Sequence, residues 1–126
     1  MTGFSIDLEK ATKDNNYFRK VLYTAPHSQL VLMCLKPRED IGMEVHDKED
    51  QFFRVDEGEG KAILNDTEYI LKDGYCVVIP AGTMHNILNT SEDKELKMYT
   101  IYSPAHHPDK TVHETKEIAM QHEHEE

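Results

Sequence analysis

The chain alternates short extended runs with turn residues, and that rhythm restricts its fold more than any other property. "FRKVLY", "SQLVLMCL", "QFFRVDE", "KAILN", "TEYIL", "YCVVIP", "MHNILN" and "LKMYTIY" are each bounded by Gly, Pro, Asn or Asp. Runs of about five to eight residues rich in β-branched and aromatic side chains read as strands. Many of them at close spacing mark an antiparallel sandwich or barrel. "KAILN" and "TEYIL" bracket Asn65-Asp66, and both turn residues tolerate positive φ, so a tight hairpin is expected. Helical signal is confined to the ends. "DLEKATKDN" suits a short helix, and "KTVHETKEIAMQHEHEE" has helix-forming composition but a thin apolar stripe, as in a surface helix that frays into a tail. "SQLVLMCL" is apolar on both alternating faces, which predicts burial on both sides, with a second subunit as the cover in a homodimer.

A chain of 126 residues is one domain's worth. It divides into an N-terminal extension with an edge strand (1–29), a barrel (30–104) and a C-terminal His-rich, acidic helix or tail (105–126). The formal charge of −10 disfavours nucleic acid or an anionic membrane as partner. No run approaches the roughly 18 apolar residues of a membrane span, and "MTGFSIDLEK" is not a basic region leading into an apolar one. Cys34 and Cys76 lie in apolar runs without CxxC spacing, which predicts buried free thiols and a cytoplasmic, reducing location. There is no helix-turn-helix, no nucleophile with an evident partner and no phosphate-binding glycine loop. A small-molecule ligand or substrate, or another protein chain, is the partner that remains.

Two glycine-bounded segments carry the chemistry. In "GYCVVIPAGTMHNILN" the order is G-x5-P-x-G-x2-H-x3-N, filled by Gly74, Pro80, Gly82, His85 and Asn89. Pro80 and Gly82 shape a turn that aims His85 at the start of the next strand. In "GMEVHDKEDQFFRVDEGEG", Glu44 and His46 are two apart and share a face of an extended chain, while Gln51 opens the strand that ends near Gly58. Asp47, Glu49 and Asp50 read as loop. By the same alternation Phe53 and Val55 go with Gln51, and Ile87 and Asn89 with His85, which predicts a largely apolar pocket around polar heads. Tyr99 and Tyr102 fall on opposite faces of their strand and read as packing residues with a polar handle. Arg54 points away from Gln51, toward the surface or an interface. His106 and His107 adjoin Pro104 and Pro108, in a turn able to fold over the barrel mouth, whereas His122 and His124 belong to a solvated acidic tail.

From about Leu30 to Tyr102 these motifs resemble the cupin superfamily. The second cupin motif is matched in full by Gly74, Pro80, Gly82, His85 and Asn89. The first, G-x5-H-x-H-x3-4-E-x6-G, is matched in part: Glu44 stands at its first His, His46 at its second and Gln51 at its Glu. "HSQLVLM", "IGMEVH", "DQFFRV", "YTIYSP" and "HHPDKTVHETK" further resemble a group of small single-domain cupins, sometimes described as relatives of sugar-phosphate isomerases. The resemblance implies an all-β fold, the double-stranded β-helix or jelly-roll barrel, with metal ligands at Glu44, His46, Gln51 and His85. Two imidazoles, a carboxylate and an amide oxygen suit Mn(II) or Fe(II), with Zn, Ni or Co also compatible and soft Cu(I) disfavoured. The ligand charge of −1 equals that of a site with three His and one Glu. The pocket would add Phe53, Val55, Ile87, Tyr102 and His106. The expected activity is isomerase, lyase or dioxygenase chemistry on a hydroxy or keto acid, sugar-derived carbonyl or enol, with Glu44 as general base. The alternatives are a polar pocket without metal, a non-catalytic cupin that senses or stores a small ligand, and a structural dimer module.

Overall fold

A computed structural model describes residues 2–125, with side chains through residue 122. It is all-β with a short helix near each end. In chain order the elements are α1 (Leu8–Asp14), β1 (Arg19–Thr24), β2 (Gln29–Leu35), β3 (Asp50–Glu57), β4 (Glu59–Leu64), β5 (Thr67–Lys72), β6 (Cys76–Ile79), β7 (His85–Asn89), β8 (Leu96–Ser103), β9 (Val112–His113) and α2 (Lys116–Glu125). The strands form a six-stranded sheet in the order β6-β3-β8-β2-β1-β9 and a three-stranded sheet in the order β5-β4-β7, all pairs antiparallel.

The inner faces of both sheets supply one apolar cluster. Val31, Met33 and Leu35 come from β2, Phe53 and Val55 from β3, Ala62 from β4, Leu71 from β5, Ile87 from β7, and Leu96 and Met98 from β8. Alternation explains the selection, because residues two apart share a face and these are the apolar members of the inward set. The hairpin forms where the turn residues predict it: Asn65 takes φ of 52°, and its amide donates to the Met84 carbonyl at 2.8 Å.

The strand that is apolar on both faces has a cover within its own chain. Val31, Met33 and Leu35 enter the cluster, while Leu32 and Cys34, on the other face, are also buried. α1 packs across β2, β3 and β8 on that side and buries Thr12 completely. Its start is fixed by Asp7, whose Oδ1 accepts from the Lys10 amide at 3.2 Å, an N-cap. Double burial of β2 therefore does not require a second subunit.

The C-terminal segment forms the expected surface helix, and contacts on either side of its start tie it to the barrel. Val112 and His113 pair with Lys20 and Arg19 as an edge strand, Ala119 of α2 joins the apolar cluster, and Lys116 donates to Asp40 at 2.7 Å. Cys34 is buried, as expected, but Cys76 is exposed. β6 is an edge strand with alternating burial, and Cys76 and Val78 fall on its outer face. No helix among the described residues is long and apolar enough to cross a membrane.

Candidate metal centre

Backbone pairing brings the two motif segments together. Glu44 and His85 form an isolated antiparallel bridge in which each amide donates to the other's carbonyl, at 2.8 and 2.9 Å. Further along, the Ile41 amide donates to the Ile87 carbonyl at 3.0 Å, and the Gly42 amide to Asn86 Oδ1 at 2.9 Å. Residues 40–44 thus run beside β7 as an irregular strand. The turn ahead of His85 is tied to the same segment, since the Gly82 amide donates to the His46 carbonyl at 2.9 Å. Gly82 has φ of +84°, a conformation that costs a side chain-bearing residue about 1–2 kcal/mol.

On this frame His46 lies beside Glu44, His85 and Tyr102, although the ligand atoms of Glu44, His46 and His85 do not close into a single compact group. Glu44 and His46 project together, with His46 Nε2 2.9 Å from Glu44 Oε2. The His46 ring lies 5.2 Å from that of His85 and 5.8 Å, edge-on, from that of Tyr102. His85 Nδ1 is 2.9 Å from the Thr83 carbonyl oxygen, which can only accept, so the proton sits on Nδ1 and Nε2 keeps its lone pair. Burial holds His85 neutral by lowering its pKa, the neighbouring His46 acts the same way, and the Thr83 contact opposes them only in part. A neutral imidazole oriented through its other nitrogen is the form that ligates metals. Burial alone would raise the Glu44 carboxyl. The hydrogen bond from His46 and the nearby charge of Arg19 outweigh it and leave Glu44 below the usual carboxylate value.

Gln51 enters from β3 opposite Tyr102 of β8. Its Nε2 donates to Thr100 Oγ1 at 3.1 Å, while its Oε1 is buried with no hydrogen-bond partner among the described residues. A buried acceptor left without a donor costs about 1–3 kcal/mol. A cation in the site would satisfy it, so the residues present fit a metal.

The loop after His46 contributes a candidate ligand that strand alternation missed. Potential ligand atoms of His46, Glu49 and His106 all lie within 4.8 Å of one another, a His/Glu/His group able to hold a metal ion. Glu49 Oε1 is 3.3 Å from His106 Nδ1, and the His106 ring lies tilted, 4.2 Å from that of His46. His106 folds over the site as its turn between two prolines suggests. Glu49 carries no such sequence signal, because the period-two rule that fixes side-chain direction in a strand does not operate in a loop.

The other candidates are placed as follows. Phe53, Val55, Ile87 and Tyr102 are all buried members of the central cluster. The Tyr102 hydroxyl is 3.3 Å from His107 Nε2, and burial raises its pKa above the ordinary tyrosine value. Asn89 serves loops: its Nδ2 donates to the carbonyls of Leu35, Lys36 and Lys94 at 2.8 to 3.1 Å. Arg54 is exposed, 3.4 Å from Asp56. His122 meets His113 edge-to-face at 4.9 Å, and the side chain of His124 lies outside the described residues.

The family model described as Cupin domain matches residues 31–102, and the chain belongs to the cupin family. It is 48% identical over 108 residues to an uncharacterized protein of Acanthamoeba polyphaga mimivirus, covering 83% of this chain and 68% of the viral one. It is 44% identical over 124 residues to the uncharacterized protein YrkC of Bacillus subtilis, covering 93% of this chain and 66% of that one. The chain thus spans about two thirds of the length of either relative. The crystal structure of BH2720 from Bacillus halodurans superposes with a TM-score of 0.93 at 44% identity, over 95% of both chains.

Proposed function

We propose that this cupin binds a divalent metal at His46 and uses it to transform a small oxygenated substrate. Glu44, His46, Gln51 and His85 are the barrel ligands, and Glu49 and His106 stand at the mouth as alternative donors to the same ion, so that positions stay open for substrate. The observation that carries the reading is the orphaned Oε1 of Gln51, buried on a strand paired to Tyr102, whose ring abuts His46. An all-oxygen and imidazole donor set without thiolate suits Mn(II) or Fe(II) best, with Zn, Ni or Co compatible.

When bound, the metal supplies Lewis-acid polarisation of a substrate carbonyl or hydroxyl oxygen. The chain's residues do the rest. Glu44 shares a proton with His46, and metal uptake requires that proton to leave. A carboxylate freed from such a pairing can take a proton from carbon or oxygen of a bound hydroxy or keto acid, which gives Glu44 the role of general base in isomerase or lyase chemistry. Dioxygenase chemistry draws on the same ligands. The test is elemental analysis of untagged protein after chelation and return of each candidate metal, followed by turnover assays on hydroxy and keto acids. One ion per chain in the wild type and none in His46→Ala is the expected result. A wild type that retains no ion would sink the metal reading, and metal uptake without turnover of any such acid would favour a ligand-binding cupin instead.

A further inference from the structure

Arg19 sits inside the fold with no carboxylate in direct contact among the described residues. It is 2% exposed, on β1 between β2 and β9, opposite Met33 on one side and His113 on the other. A guanidinium keeps its proton at any physiological pH, and burying it is costly unless acceptors take up its donors. Among the described residues no carboxylate forms an ion pair with it. One terminal nitrogen lies 3.1 Å from His113 Nδ1, the guanidinium carbon stands 5.2 Å over the Phe18 ring, and Nε is buried without a partner. Arginine can only donate, so Nδ1 of His113 accepts and that imidazole is neutral, offering no negative charge in return.

The surroundings repeat the pattern. Arg19, His106, His107 and His113 line a cavity of about 370 Å³, together with Thr111 and His122, and no acidic side chain lines it among the described residues. That is unusual in a chain with 24 acidic residues against 14 Lys and Arg. His107 Nε2 lies 3.3 Å from the Tyr102 hydroxyl, and its ring meets that of His106 edge-on at 4.7 Å. A permanent cation with unused donors, ringed by imidazoles in a small concavity, is built to receive an anion. The planar fork of arginine matches a carboxylate in particular.

We infer that this cavity binds the carboxylate of a small organic acid, with Arg19 as its charged partner. The volume admits a small molecule and not a macromolecular segment of any length. His106 belongs both to this cavity and to the group formed with His46 and Glu49, so an acid held by Arg19 extends its other oxygens toward the metal ligands. That second step, which makes the acid the substrate, rests on the metal reading proposed above. The carboxylate site itself does not.

The experiment titrates chelator-stripped full-length protein with malonate, pyruvate and inorganic phosphate, read by calorimetry and by the shift in melting temperature. Saturable one-site binding of malonate or pyruvate is expected in the wild type, weakened at least tenfold in Arg19→Lys, which keeps the charge but loses the fork. Arg19→Met should abolish it. His107→Gln, away from the sheet, gives a second variant expected to weaken binding if Arg19 replacements fail to fold. Binding of organic acids by protein that takes up no metal would uphold the site while removing the metal reading. No saturation by malonate or pyruvate in the wild type would overturn it. So would affinity unchanged in a folded Arg19→Lys, or a preference for phosphate over both acids.

Discussion

Glu44 and His85 are held together by their backbones before their side chains do anything, through two reciprocal hydrogen bonds of 2.8 and 2.9 Å. One bridge therefore sets where the carboxylate of the first motif and the imidazole of the second can point. His46 is secured separately, its carbonyl accepting from Gly82 at 2.9 Å. Motif spacing works here as a means of registering two loops against one another, and the donor chemistry is laid on top of it.

Gly82 tests that registration. An added methyl group would meet nothing within 4 Å, so Gly82→Ala carries only the backbone penalty of its φ of +84°. The expected loss is about 1–2 kcal/mol in urea unfolding, with metal affinity reduced because the His46 segment shifts. A variant as stable as the wild type would show that the turn relaxes freely and does not hold His46.

Asn89 occupies the last position of the second motif, and its role is structural. Its amide nitrogen is shared among three carbonyls, and its Oδ1 accepts from the Ser91 amide at 2.9 Å. Asn89→Ala leaves those buried groups unsatisfied and should destabilise the fold by about 1–3 kcal/mol, while metal content stays at the wild-type level. Loss of metal at unchanged stability would place Asn89 in the site instead.

What could be read from the sequence follows from where periodicity operates. Strand alternation and turn residues were enough for β1 to β8, the Asn65 hairpin and α1, and the motif spacing located His46 and His85. β9 was missed because two residues, Val112 and His113, carry no alternation of their own. The apolar outer face of β2 was legible, but its cover was not, since nothing in "DLEKATKDN" says which surface the helix lies on. Glu49 and Arg19 are the harder cases. Glu49 is aimed by a loop, and Arg19 occupies an inward strand position where an apolar residue is the default, so its significance appears only when its lack of a direct ion pair is seen.

Gln51 separates a metal ligand from an ordinary buried polar residue. Replacing it with Leu removes the orphaned Oε1 and keeps comparable volume, so metal-free protein should lose little stability, within about 1 kcal/mol, or gain some. The rise in melting temperature caused by added Mn(II) or Fe(II) should shrink at the same time. His85→Ala should abolish that rise, and Glu49→Ala and His106→Ala should reduce it to the extent that the mouth residues share the ion. A metal-induced rise of wild-type size in both Gln51→Leu and His85→Ala, but lost in Glu49→Ala and His106→Ala, would move the centre to the mouth.

The two cysteines should behave oppositely. Cys76 is exposed and should react with iodoacetamide in the native protein, whereas Cys34 is buried and should react only in denaturant. Burial, and then Glu95, whose Oε2 lies 3.4 Å from Sγ, push the Cys34 thiol from 9.0 up to about 12. The native thiol therefore keeps its proton where the unfolded one has lost it. Between those values the folded state binds more protons, so this residue's contribution falls as pH rises above about 9 and is complete below it. Cys34→Ala should cost most near pH 8, where the packed thiol is neutral in both states, and progressively less at pH 10 and 11. Comparing the two proteins at each pH cancels the titration of every other group, Tyr102 included. A difference in unfolding free energy that stays constant from pH 8 to 11 would mean that the native thiol titrates as if solvated, contrary to its position beneath α1.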